Sequence, residues 1–137
     1  MALKSDVLKE LDVVTDKMST QVRTTAIAVL ALTWGLLIGE SATAKEIATQ
    51  LKPALVLLGA AGVCVLFLDF LQYFAGYFST KSVLDEMEKK NANEGQYDYG
   101  SFFYWLRVLL FWGKQGLLML TVVALFVVLG RWVIYAR

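Results

Sequence analysis

The chain has 137 residues, 58% of them hydrophobic and 18% charged, against about 45–50% and about 25% in soluble domains. A net charge of +1 offers no broad basic field for nucleic acid, and no nucleic-acid partner is expected. With no histidine at all, histidine-ligated haem, histidine zinc sites and histidine general bases are excluded, and the lone Cys64 cannot form an intrachain disulfide.

The hydrophobic excess is concentrated in three blocks, separated by segments that hold nearly all the charge. That pattern predicts an all-α integral membrane protein with a three-span transmembrane helical bundle. The first residues mix acids and bases without a continuous apolar core, unlike a cleavable leader, so the first block is expected to be retained. Residues 1–22 are expected to form a cytoplasmic amphipathic helix. Leu3, Val7, Leu11, Val14, Met18 and Val22 recur at spacings of three and four, and Lys4, Asp6, Lys9, Glu10, Asp12 and Lys17 lie opposite.

Span one is placed at 23–40. Its uncharged core, 24–39, is slightly short of the roughly 20 residues a spanning helix needs, and a snorkelling Arg23 can extend it. Ala31, Gly35 and Gly39 repeat every four residues, a small-residue stripe that lets another helix approach closely. Residues 40–52 form the first connection, where Ser41 or Thr43 can cap a short helix. Span two is placed at 53–78. It begins at Pro53, a residue suited to a first helical turn, and is interrupted only by Asp69 and Gln72. Good helix formers carry it on as a cytoplasmic extension towards residue 90, and Asn91–Gly100 is the clearest loop, the two together filling 79–100.

Residues 102–135 would make one helix about 50 Å long, well beyond a hydrocarbon core of about 30 Å. The aromatic-rich 101–113 are therefore expected to form an interfacial helix. Gly113-Lys114-Gln115-Gly116 would act as an elbow, and 114–135 as span three; a single tilted helix is the alternative. Trp34, Tyr77, Trp105, Trp112 and Trp132 are the expected interfacial anchors. The distribution of Lys and Arg favours a cytoplasmic N-terminus and second connection, with the C-terminus outside; the membrane is expected to be a cell membrane, the bacterial inner membrane.

Asp69 is the residue most in need of explanation, because an ionisable group in a span costs about 2.5–3.5 kcal/mol on insertion scales and usually meets a partner or water. Gln72 shares its face. Aligning Phe78 with Phe102 puts Asp69 level with residue 111, between Arg107 and Lys114, which share a helical face. Asp69 is then a structural ion pair fixing helix register, a pore-lining or relay carboxylate, or a group reaching the interface. The acids of the second connection match no calcium-loop spacing. Nucleotide-loop, nucleophile-elbow, zinc and CxxC motifs are missing, so no enzyme and no cofactor is expected.

The layout of helices flanking paired spans resembles small bacterial membrane proteins, including some proposed pore-forming effectors of defence systems. Three spans are too few to enclose a path alone, so the expectation is a homo-oligomeric pore or ion-channel-type subunit, with the Ala31-Gly35-Gly39 stripe supplying helix contacts, Asp69 and Gln72 lining the lumen, and gating through its cytoplasmic helices. An accessory or assembly subunit, docked on other membrane subunits, is the alternative.

Overall fold

The computed structural model describes residues 4–90 and 101–135, with side chains from residue 12 to 89 and from 101 to 135. It is all-helical: α1 (Lys4–Ile38), α2 (Ala42–Lys90) and α3 (Phe102–Tyr135). All three are long and apolar enough to cross a membrane, so this is a multi-pass membrane protein. The loop expected over 91–100 and the apolar stripe residues Leu3, Val7 and Leu11 lie outside the residues or side chains described.

α1 joins the predicted amphipathic segment and the first span into one helix of 35 residues, as the lack of Pro or Gly before Gly35 allows. It ends at Ile38, and α2 starts at Ala42, immediately after Ser41. The Ala44 N–H donates to the Ser41 Oγ at 3.1 Å, an N-cap that satisfies one orphan donor of the first turn. The connection is therefore shorter than the expected 40–52, whose remaining residues are helical.

Pro53 lies inside α2 rather than in its first turn. The contacts of α1 show what it does there. A Cβ on Gly39 would lie 2.8 Å from the Ala44 Cβ, whereas a Cβ on Gly59 would lie 3.2 Å from the Thr33 Oγ1. Between these contacts α1 advances six residues and α2 fifteen, which is about 9 Å against about 22 Å of helix. A straight antiparallel pair cannot satisfy both, so α2 turns within this stretch. Pro53, which has no N–H for the helical ladder, is the residue that permits it. Residues 42–52 thus fold across the end of α1, burying Ala44 and Ile47 and leaving Lys45, Glu46 and Lys52 exposed.

α3 runs through Gly113-Lys114-Gln115-Gly116 without a break, so the expected elbow is absent and 101–113 and 114–135 are one helix. Two glycines cost a helix about 1 kcal/mol each, whereas a break would leave several backbone groups unpaired, each at a cost of several kcal/mol in lipid.

α2 packs along both other helices, while α1 and α3 meet only sparingly. The core has two layers, Val22, Ala26, Val65 and Leu118, then Val29, Leu58 and Leu125. Close approach of α1 and α2 comes from Gly59 against Thr33 and Gly62 against Ala26 and Leu30. Two buried hydroxyls are satisfied within their own helices: Thr33 donates to the Val29 and Leu30 carbonyls and Thr121 to the Leu117 carbonyl. The Ala31-Gly35-Gly39 stripe does not serve this interface. Ala31 and Gly35 are exposed, a Cβ on Gly35 would meet nothing within 4 Å, and Gly39 is held against Ala44 at the turn.

Candidate functional site

Each helix contributes one ionisable side chain to a single buried cluster. Asp69 of α2 accepts Lys114 of α3 on Oδ1 and Arg23 of α1 on Oδ2. Arg23 donates to Oδ2 from both Nε and Nη2, at 3.0 and 2.9 Å. Ser19, one helical turn before Arg23, completes the cluster. Its Oγ accepts from the Lys114 ammonium and donates to the Asp69 Oδ1 at 3.3 Å. The side chains of Lys114 and Asp69 are 0% and 5% exposed, that of Arg23 46%. Arg23 also lies over the Tyr73 ring, 5.3 Å from its centroid, and Lys114 lies 5.8 Å from that of Phe111. Gln72 is buried beside the cluster, and its Oε1 has no hydrogen-bond partner.

The depth of this node follows from helix register. Thr33 meets Gly59 and Arg23 meets Asp69 across α1 and α2, while Lys114 meets Asp69 and Arg107 meets Gly76 across α2 and α3. On these pairings residues 24, 68 and 115 are level at one end, and 39, 53 and 130 at the other. Each of the intervals 24–39, 53–68 and 115–130 is a run of sixteen residues without a charge. The three runs are side by side and coextensive, forming an apolar slab about 24 Å thick. Arg23, Asp69 and Lys114 bound it on one side. Glu40, Lys52 and Arg131 bound it on the other.

The node is therefore at the edge of the slab rather than at its middle. Beyond it α1 carries Asp12, Asp16 and Lys17, all exposed, and α2 and α3 carry an aromatic girdle. Phe78 stacks on Phe103, Phe74 meets Phe78 edge-on, and Tyr77, Trp105 and Trp112 face outwards. Mixed charge and outward aromatics at one depth are the composition of a membrane–water interface. Trp132 is partly buried next to the far edge, whereas Trp34 is exposed several residues inside it.

Of the residues singled out in sequence, Asp69 and Lys114 come together, with Gln72 adjacent. Arg107 does not join them. It is exposed, and its side chain packs over Gly76, two turns away. The residues that sequence reasoning missed are Ser19 and Arg23. For Arg23 a signal was present: it flanks one sixteen-residue uncharged run just as Lys114 flanks another and Asp69 the third.

Among the described residues no group of three or more acids or cysteines is placed to hold a metal ion. Between α1 and α3 lies an open groove of about 210 Å³, lined by Met18, Gln21, Val22, Thr25, Gln115, Leu118 and Met119. The chain matches no protein-family model, no curated protein and no solved structure.

Proposed function

We propose that this protein is a small non-enzymatic membrane subunit of the homo-oligomeric pore or channel type, gated through its cytoplasmic helices. The observation that carries the reading is the Ser19–Arg23–Asp69–Lys114 node. It ties all three helices at the depth where the charged half of α1 and the extension of α2 leave the apolar slab. A pull on either extension reaches the whole intramembrane bundle through it. Because Asp69 is locked inward by two cations, its role in this reading is that of a latch, and the lumen is formed between copies. Three helices packed on a filled core enclose no path alone.

The test is conductance of the purified chain in planar bilayers. Asp69→Asn and Lys114→Gln unlatch α2 from α3 and are expected to change the open probability. Absence of conductance at every voltage and protein density would remove the pore reading.

A second reading, an accessory or assembly subunit of a larger membrane complex, is favoured by one observation. The buried carboxylate is fully occupied within the chain, as in a structural ion pair that fixes register. Native mass of the gently extracted complex separates the two: multiples of this chain alone favour the pore, and a fixed ratio to unrelated subunits favours the accessory role.

A further inference from the structure

The node is not electrically balanced. Asp69 is the only acid among its four members, and it faces two cations, Arg23 and Lys114. Lys114 is wholly enclosed, so water cannot reach its charge directly. Arg23 is the outlet. Its Nε and Nη2 are committed to Asp69, while nearly half of its side chain is open beside the exposed ring of Tyr73. An unneutralised positive charge at the boundary of an apolar slab is costly, and the anions found at that depth are the phosphates of lipid headgroups. The rest of the guanidinium, which also bonds Tyr73, is exposed, and it matches a phosphate in both charge and planar donor geometry. Of the exposed acids close by, Asp16 and Asp12 lie further out along α1, Lys17 lies nearer the node than either, and Arg107 sits at a similar level to Asp16 on α3; the acids do not cancel the excess at the node.

We propose that the exposed edge of Arg23, beside Tyr73, is a binding site for the phosphate of an anionic phospholipid, which neutralises the surplus charge of the Arg23–Asp69–Lys114 node. The lipid stands with its phosphate at the slab edge and its chains along the α1–α2 flank. It does not touch Lys114, yet Lys114 sets its affinity through the net charge of the node. This inference rests on the membrane placement of the helices and is independent of whether the chain forms a pore.

That dependence gives the test. The full-length chain and its variants are reconstituted in phosphatidylcholine vesicles containing a minor fraction of phosphatidylglycerol, and the lipids retained on native mass measurement are counted by class. Lys114→Gln leaves a neutral Arg23–Asp69 pair, and Asp69→Asn leaves two cations without an acid. The expected preference for the anionic lipid rises from Lys114→Gln through wild type to Asp69→Asn, by about fivefold for each unit of charge near the surface. The double variant Asp69→Asn with Lys114→Gln retains Arg23 alone, regains the surplus charge and is expected to return to the wild-type preference, which keeps the test valid should one single variant fold poorly. Wild-type preference in Lys114→Gln overturns the proposal, as does its absence in the wild type. A further arm adds inorganic phosphate to the same phosphatidylcholine–phosphatidylglycerol vesicles of the wild-type protein. Displacement of phosphatidylglycerol by millimolar phosphate would assign the site to a soluble anion and overturn the lipid.

Discussion

Lys114 of α3 reaches across the bundle to donate to Ser19 of α1 as well as to Asp69 of α2, and so one ammonium group supplies the polar link between the two helices that otherwise touch least. Its loss and the loss of its acceptor are not equivalent. Lys114→Met leaves Asp69 with Arg23, a balanced pair, and forfeits hydrogen bonds worth about 1.5–3 kcal/mol when one partner is charged. Asp69→Leu leaves two cations with no acid between them, which costs about 3–5 kcal/mol in a buried setting. Denaturant unfolding of the detergent-solubilised chain, followed by helical circular dichroism, is expected to rank Asp69→Leu well below Lys114→Met. The reverse order would mean that the node is held by hydrogen bonding and not by charge.

Gly59 and Gly35 are both small residues within the apolar slab, and only one of them has a neighbour. A Cβ on Gly59 would lie 3.2 Å from the Thr33 Oγ1. That hydroxyl cannot easily give way, because it is bonded to two carbonyls of its own helix at 2.9 and 3.0 Å. Gly59→Leu must therefore push α1 and α2 apart, an overpacking cost of about 1–3 kcal/mol. Gly35→Leu meets nothing within 4 Å and is expected to leave the unfolding midpoint of the monomer unchanged. The same Gly35 variant, sized by native mass measurement, reports on assembly: smaller particles at unaltered stability would assign the open face of α1 to contacts between chains.

Membrane class and the number of long helices were legible in the sequence, since both follow from local composition and from the cost of exposed polar groups in lipid; Asp69 stood out there as costly, with an ion pair only one of three readings. Register between helices was not. Pairing Phe78 with Phe102 sets residue 111 beside Asp69, whereas the observed stack joins Phe78 to Phe103 and Lys114 reaches Asp69. A shift of one helical turn is within what aromatic girdles tolerate, yet it decides which cation arrives. Arg107 shares a face with Lys114 but lies seven residues back, about 10 Å along the axis. The elbow failed for a different reason: a pair of glycines marks a break in water, but inside lipid the backbone keeps its ladder. Pro53 was read as a helix start and instead bends a longer helix, a choice that depends on tertiary packing at Gly39 and Ala44.

The two arginines can be told apart directly. Arg107→Ala removes an exposed side chain that packs on Gly76 and is expected to change stability by no more than about 0.5 kcal/mol, as for surface sites without special contacts. Arg23→Ala strips two donors from the Asp69 Oδ2 and is expected to cost about 1.5–3 kcal/mol, the range for hydrogen bonds to a charged group. Parallel denaturant titrations of both variants decide the matter, and equal midpoints would mean that the node does not bear on stability.

The placement of the slab can be tested through the lone cysteine. Cys64 is exposed on α2, five residues from Asp69 on the apolar side, or about 7 Å inside the slab edge. In sealed vesicles it faces hydrocarbon, where the thiol stays protonated, so a charged maleimide should leave it unmodified until the chain is unfolded in detergent. With Cys64 replaced by Ser, cysteines introduced at Thr80 and Glu40 lie beyond opposite edges and should each react with the charged reagent, one from outside the vesicle and the other only after permeabilisation. Labelling of Cys64 by the charged reagent in intact vesicles would show that water reaches the outer face of α2 inside the slab edge. The sixteen-residue runs would then be lining a wet path instead of forming the apolar layer that the helix register implies.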